Sequence, residues 1–199
     1  QRKRVYRYRQ RILDGASCRD LIVQMIHDQV DHYVDRFLDR DYGVESFAKW
    51  AGSRLSTELD PRDYRGMDFQ SADMYAKDQA ERYAETQVID SIEENLPLEE
   101  ETTEWNWDAL AKMANTRWGL NFRDRDLKKI GRDDVAEYLI ENARKAIHEV
   151  DLTEGAIFLE EDFALRTTVA WVKNKFGLDI DIEEIRNLEP SALKQFVFE

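Results

Sequence analysis

The sequence predicts an all-α fold, an irregular helical bundle with a long N-terminal helix and at most very short strands. Only three prolines and eight glycines interrupt the 199 residues, and these are the residues that end helices. Charged residues make up 36% of the chain, which is typical of helices with a solvated face. Apolar residues also recur every three or four positions, which is the period of a helix.

The first 13 residues form a basic segment, with six Lys or Arg and no acid, in a chain that holds 42 acidic residues against 29 basic ones. We expect them to be the end of a long helix, because Asp14-Gly15 is a breaking pair. Ser17 with Asp20 then forms a capping pattern that predicts the start of a new helix. A domain boundary is predicted here, between residues 1–15 and 16–199.

A wide apolar face predicts a strong helix after Ser17. We expect Gly43 to end it and a shorter helix to follow, before a loop at residues 60–66. The strong helix carries Leu21, Ile22, Met25, Ile26, Val30, Tyr33, Val34, Phe37 and Leu38 on its apolar face, and the shorter one carries Val44, Phe47, Ala48, Ala51 and Leu55.

Small residues mark one face of a third, long helix, where they would let a neighbouring helix approach closely. Pro97 and the acidic run Glu99-Glu100-Glu101 are predicted to close this helix. Residues 94–104 are therefore a predicted linker or exposed turn and a second candidate boundary. The face consists of Ala76, Ala80, Tyr83, Ala84, Val88 and Ile92.

The second half of the chain contains a weak internal repeat at an offset of 58 residues. Each copy is predicted to be a helix, a glycine in a left-handed cap, a short extended link, a helical turn and another helix. Trp118-Gly119-Leu120-Asn121-Phe122 aligns with Phe176-Gly177-Leu178-Asp179-Ile180, followed by Leu127 with Ile185, Ile130 with Leu188, Val135 with Leu193 and Leu139 with Val197.

Composition argues against several classes of protein. The formal charge of −13 opposes binding to nucleic acid or to anionic lipid. The single cysteine, Cys18, can form neither an internal disulfide nor a structural zinc site, which fits a reducing cytoplasm. No apolar run of about 18 residues is present, so no membrane-spanning helix is expected. Because the chain starts at Gln1 and stops within an apolar helical run, we expect a piece of a larger protein.

Motifs for chemistry are sparse, and we predict no catalytic, cofactor-binding or metal-binding residue. The chain has no GxxxxGK[ST] loop, GxSxG elbow or HExxH pair. His27-Asp28, with His32 and His148, suggests an HD-type metal phosphohydrolase as an alternative. His27 and His32 are five residues apart, however, which does not place both on one helical face.

Three further groups of residues have a structural and a functional interpretation. The acidic run Glu160-Glu161-Asp162 is interpreted as a solvated face rather than an acid–base pair. The tryptophans at 105, 107, 118 and 171 are interpreted as core anchors rather than a binding cleft. The basic and aromatic N-terminal segment is interpreted as a truncated amphipathic helix rather than a single-strand nucleic-acid binder. Its candidate interaction residues are Arg4, Arg7, Tyr8 and Arg11.

The start of the chain carries a family resemblance. Gln1-Arg2-Lys3-Arg4-Val5-Tyr6, followed by Arg9-Gln10-Arg11-Ile12-Leu13-Asp14-Gly15, resembles the scaffold helix of SecA, the bacterial preprotein-translocase ATPase, which reads QRxxIYxxRxxxL there. Residues 26–37 are similar to the start of the SecA helical wing domain. Residues 110–127 are similar to its pattern of a helix, an aromatic, a Leu-x-apolar link and a second helix. Residues 40–105 and the second repeat copy exceed an ordinary wing.

The resemblance implies that residues 1–15 end the scaffold helix and that residues 16–199 are an expanded wing. It implies a parent protein that uses ATP and Mg²⁺ to drive unfolded preprotein through a SecYEG-type channel, in the cytoplasm and peripherally on the membrane. The nucleotide motifs would then lie upstream of Gln1. The wing would contact preprotein or gate conformational change, touch the motor domains of the same protein, and bind no nucleic acid. A stand-alone helical adaptor is the other alternative.

Overall fold

A computed structural model describes residues 17–98 and 104–198, together with residues 2, 5, 6, 10, 13, 15 and 102. Within these residues every regular element is a helix and no strand forms, so the all-α prediction is confirmed. The α-helices are α1 (Cys18–Phe37), α2 (Tyr42–Leu55), α3 (Phe69–Asn95), α4 (Trp107–Trp118), α5 (Asp124–Ile130), α6 (Arg132–Glu149), α7 (Phe163–Phe176), α8 (Ile182–Ile185) and α9 (Pro190–Phe198), and 3-10 helices lie at Pro61–Tyr64 and Thr153–Leu159.

The helices form two compact units. Unit 1 consists of residues 1–42 and 161–199, and unit 2 consists of residues 43–160. Unit 1 is therefore discontinuous in sequence, with the whole of unit 2 between its two parts. The domain boundaries expected after residue 15 and near residues 94–104 stay predictions.

Helix α1 begins as the sequence predicts and ends earlier. The Ser17 hydroxyl accepts a hydrogen bond from the Asp20 backbone N–H at 3.4 Å, which confirms the predicted cap. The prediction that Gly43 ends the helix is wrong. The helix stops at Phe37, and the Asp39 carboxylate then accepts the Asp41 N–H at 2.9 Å in a local turn. Gly43 lies in the first turn of α2.

The core of unit 1 forms where α1 packs against the C-terminal helices. Its buried side chains share an aliphatic character, and the partly buried Trp171 and Phe176 pack against them. Trp171 also contacts Tyr33 and Phe37 of α1. The buried residues are Val30 and Val34 of α1, Val172 of α7, Ile185 of α8, and Leu193 and Val197 of α9.

Unit 2 is built around the long helix α3, whose first half is lined with alanines. Ala72, Ala76, Ala80 and Ala84 are buried in one cluster with Ala143 and Ile147 of α6. The prediction that small residues admit a close neighbouring helix is therefore confirmed. Tyr83 was expected on the same face, but it is 39% exposed because it points toward Arg117 instead.

The second half of α3 packs into a separate aliphatic cluster with α4, α5 and α6. That cluster contains Val88, Ile92, Leu96, Trp107, Leu110, Ala111, Ala114, Leu127, Val135 and Leu139. The segment 60–66, predicted as a plain loop, contains the 3-10 helix Pro61–Tyr64 because the Asp60 carboxylate caps the Arg62 N–H at 3.0 Å. Its Tyr64 ring packs against Phe47 and Tyr75.

Candidate interaction surfaces

The predicted interaction residues Arg4, Arg7, Tyr8 and Arg11 lie outside the described residues. Of their neighbours, Val5 and Tyr6 are described, and their side chains are 66% and 67% exposed.

The N-terminal half of α1 exposes apolar side chains. Sequence periodicity placed Ile22, Met25 and Ile26 on the same buried face as Val30 and Val34. The structure buries the C-terminal half of this face and leaves Ile22 57%, Met25 45% and Ile26 38% exposed. A helix face of this kind is a candidate contact surface, since exposed aliphatic side chains at helical spacing are the usual anchors of helix packing.

An open groove of about 820 Å³ lies between α1 and α9, with His27 and Asp31 of α1 in its lining. Lys194 of α9 bridges two carboxylates of α1, with its Nζ 2.7 Å from Asp35 and 3.6 Å from Asp31. The hydrogen bond to Asp35 raises the pKa of Lys194 above its ordinary value. The His27 ring lies 3.7 Å from the Phe198 ring, centroid to centroid. The groove therefore combines an apolar wall with a charged rim.

Unit 2 carries a second cleft of about 610 Å³ at the C-terminal end of α2. Arg117 lies over the Tyr83 ring at 5.3 Å from its centroid and donates to the Ser56 carbonyl oxygen at 3.5 Å. Ser56 has a positive φ of 54°, the backbone geometry that follows many helix ends. Arg117 thus fixes the helix end as well as lining the cleft.

The histidines of the alternative metal hypothesis lie in different settings. His148 belongs to unit 2, where its Nε2 lies 2.6 Å from a carboxylate oxygen of Glu81. His27 and His32 belong to unit 1, and their rings contact Phe198 and Tyr33. Within the described ranges, no group of three or more His, Cys, Asp or Glu side chains is placed to hold a metal ion.

The tryptophans are core anchors, as predicted. The Trp105 indole N–H donates to the Pro97 carbonyl oxygen at 2.9 Å, and Trp107 is 6% exposed. Trp118 packs against both clusters of unit 2, and Trp171 packs in unit 1. In the acidic run at residues 160–162, Asp162 pairs with Arg166 at 2.7 Å, one turn along α7.

Sequence reasoning missed Lys194 and Arg117. Lys194 meets carboxylates that lie about 160 positions earlier in the chain, and no local pattern signals such a pair. Arg117 directly precedes Trp118, and a basic residue in the last turn of a helix is common. The part of the chain that the structure describes contains no helix long and apolar enough to cross a membrane.

Comparison with known proteins gives one informative match. The chain is 49% identical, over 189 residues, to the protein translocase subunit SecA 1 of Rhodopirellula baltica. The aligned part is 95% of this chain and 15% of that relative. The resemblance to SecA is confirmed. No family model matches the chain, and no solved structure matches it.

The alignment also reaches the regions that we expect to exceed an ordinary SecA wing. Because 189 of the 199 residues align, most of residues 40–105 and of the second repeat copy have counterparts in this SecA. The chain spans about 15% of the length of that relative, so activity, substrate and partners of a whole SecA come to it only as proposals.

Proposed function

We propose that this chain is the end of the scaffold helix and the helical wing of a SecA-type, ATP-driven protein translocase. It acts by surface contact and by movement as rigid helical bodies, and it performs no chemistry itself. The observation that carries this proposal is the 49% identity to SecA 1 over 95% of the chain. ATP and Mg²⁺ are cofactors of the parent protein and are held outside this segment.

The helical architecture supports a mechanical role. Long helices such as α3, with 27 residues, and α6, with 18 residues, hold their shape because close packing makes a core stiff. A stiff body transmits a displacement from one end to the other, which is what gating of a preprotein requires. The partners are the preprotein, the SecYEG-type channel and the motor domains of the parent protein.

We assign the exposed apolar half of α1 to contact within the parent protein. It directly follows the predicted scaffold helix in sequence, so it lies where the wing joins the rest of SecA. Burying aliphatic side chains such as Ile22 and Ile26 stabilises such a contact by about 25 cal/mol for each Å² removed from water. The contact couples movement of the wing to movement of the motor.

A double variant in the full-length parent tests this proposal. Ile22→Asp with Ile26→Asp places charges on the contact and is expected to lower the amount of preprotein translocated per ATP hydrolysed about tenfold. The matched control is Met74→Asp with Ile89→Asp on α3, where the side chains are also exposed, at 65% and 44%, and where no change is expected. The two rates are measured with channel-containing vesicles.

An unchanged ratio of translocation to ATP hydrolysis in the α1 variant would contradict the proposed coupling. The alternative of a stand-alone adaptor, favoured by the same exposed face, would instead be supported by stable binding of a partner helix that this variant abolishes.

A further inference from the structure

The two units contain the same succession of helices. In unit 2, α4 ends at Gly119, a link follows, and α5 and α6 complete the series. In unit 1, α7 ends at Gly177 and leads through a link to α8 and α9, at the offset of 58 residues that the sequence predicts. Gly119 (φ 65°, ψ 23°) and Gly177 (φ 73°, ψ 16°) adopt the same left-handed conformation.

The most buried positions of these helices correspond. Five buried residues of one series have a buried counterpart 58 positions away in the other, and two more, Trp107 and Ala111, correspond to the partly buried Leu165 and Val169. The five buried pairs, with exposures from 0% to 8%, are Leu110 and Thr168, Ala114 and Val172, Leu127 and Ile185, Val135 and Leu193, and Leu139 and Val197.

Backbone hydrogen bonds match as well. The bond from the Asp126 N–H to the Arg123 carbonyl, at 2.9 Å, has its counterpart from Glu184 to Asp181 at 3.1 Å. The first bond of α6, from the Val135 N–H to the Gly131 carbonyl at 3.0 Å, has its counterpart in α9, from Leu193 to Glu189 at 2.9 Å. These backbone hydrogen bonds are thus repeated where side-chain identity is not.

The long helix that supports each series also corresponds. Val88, Ile92 and Leu96 of α3 join the core formed with α4, α5 and α6. Val30 and Val34 of α1, with Leu38 directly after its end, join the core formed with α7, α8 and α9. The residues of α1 lie 58 positions before their counterparts in α3, whereas α7, α8 and α9 lie 58 positions after α4, α5 and α6. Each unit therefore contains a four-helix module, α3-α4-α5-α6 in unit 2 and α1-α7-α8-α9 in unit 1.

The two modules differ in the connection from their first helix to their second. Val88 and Leu110 are 22 positions apart, whereas Val30 and Thr168 are 138 positions apart. The difference of 116 is close to the 118 residues of unit 2. The flanks of unit 2 are close in space within unit 1, because the rings of Tyr42 and Phe163 stack at 5.6 Å and 13°.

We infer that unit 2 is a second copy of the unit 1 module, inserted into the connection between α1 and α7. An insertion between two adjacent points leaves the host module intact, since neither side of its core is displaced. The helix α2 and the 3-10 helices are additions that cover the alanine face of α3. Each copy has its own core and unfolds as its own unit.

The copies keep the core and change the surface. Residues 123–132 contain five basic and two acidic side chains, whereas the corresponding residues 181–190 contain one basic and four acidic side chains. The module accommodates a net positive or a net negative charge in this segment, so neither sign of charge is required for folding. The inserted copy thus presents a different surface from that of its host.

Hydrogen exchange of the full chain tests this inference with a matched pair of variants. Val30 and Val88 occupy corresponding positions and are both 0% exposed. Val88→Ala is expected to raise exchange roughly tenfold for the protected amides of unit 2 and to leave those of unit 1 within about twofold, since a destabilised core opens only its own cooperative unit. Val30→Ala is expected to do the reverse.

Equal acceleration in both units by either variant would overturn the inference, because the chain would then be one cooperative unit. If a variant fails to fold, an experimental structure of the unaltered chain decides the question. The inference requires residues 30–38 with 163–198 to superpose on residues 88–96 with 105–140, with all four helices in the same order and handedness. A different handedness would contradict it.

Discussion

At the scale of single residues, Gly155 occupies a position that leaves no room for a side chain. It lies against Trp50 and Phe47 in unit 2, and a Cβ added there would lie 2.5 Å from the Trp50 ring. The Trp50 ring is itself held between Phe158 and the guanidinium of Arg54. Because these two contacts oppose displacement of the ring, a larger residue at 155 is expected to force the 3-10 helix away from α2.

Gly155→Ala is therefore expected to lower the free energy of unfolding by about 1–3 kcal/mol, measured by urea denaturation. Gly177→Ala is the control, since its Cβ would meet nothing within 4 Å and its cost is only the left-handed backbone, about 1 kcal/mol. If Gly155→Ala cost no more than this control, the contact with Trp50 would not be rigid.

At the scale of elements, α3 depends on a charged cap. The Asp68 carboxylate accepts the Ser71 N–H at 2.8 Å, and this backbone hydrogen bond lowers the pKa of Asp68 below its ordinary value. A depressed pKa means that the stabilisation is present above the unfolded pKa and is lost as the pH falls through the folded one. The variant Asp68→Asn keeps a side-chain oxygen that can accept the Ser71 N–H, but its amide does not titrate.

Acid denaturation curves should therefore separate the two proteins. Below the ordinary pKa of an aspartate, the wild type is expected to lose stability more steeply than Asp68→Asn, whereas near neutral pH the two should differ little. Parallel curves across the acid range would show that the cap does not depend on the charge of Asp68.

The link after α4 is held by the side chain of Asn115, which hydrogen-bonds to both backbone groups of one residue, as a neighbouring strand would. Asn115 accepts the Phe122 N–H at 2.7 Å and donates to the Phe122 carbonyl at 2.8 Å. The corresponding residue of unit 1 is Lys173, which pairs with Asp179 at 2.5 Å between exposed side chains. Two hydrogen bonds to a partly buried backbone contribute more than one exposed ion pair.

Asn115→Ala is accordingly expected to cost about 1–3 kcal/mol of unfolding free energy, and Lys173→Ala less than about 1 kcal/mol. Thermal unfolding followed by circular dichroism measures both. A larger loss of unfolding free energy for Lys173→Ala than for Asn115→Ala would show that these hydrogen bonds do not hold the link after α4.

Sequence reasoning succeeds for elements whose signals are local. The Ser17 cap, the left-handed glycines 119 and 177, and the alanine face of α3 follow from neighbouring residues alone. It fails at the end of α1, where Leu38 and the Asp39 turn stop the helix before Gly43. It also fails for the insertion, since nothing local shows that α1 packs against helices more than 120 residues later.

At the scale of the whole molecule, the fold follows from the sequence, whereas the candidate interaction residues stay a prediction. The basic and aromatic composition of the N-terminal segment predicts Arg4, Arg7, Tyr8 and Arg11, which lie outside the described residues. The exposed half of α1 was predicted as core, because periodicity reports which face is apolar and does not report what covers it. Identity to SecA 1 supplies the functional context that neither composition nor packing contains.

We propose that this segment is a non-catalytic part of a protein translocase. A carboxylate and an imidazole, the groups of many acid–base pairs in enzymes, meet at Glu81 and His148, 2.6 Å apart. Phosphate release from Mg-ATP by the isolated chain tests this directly, and we expect no release above that in buffer. Turnover by the chain that Glu81→Gln abolishes would contradict it and would place an active site in unit 2.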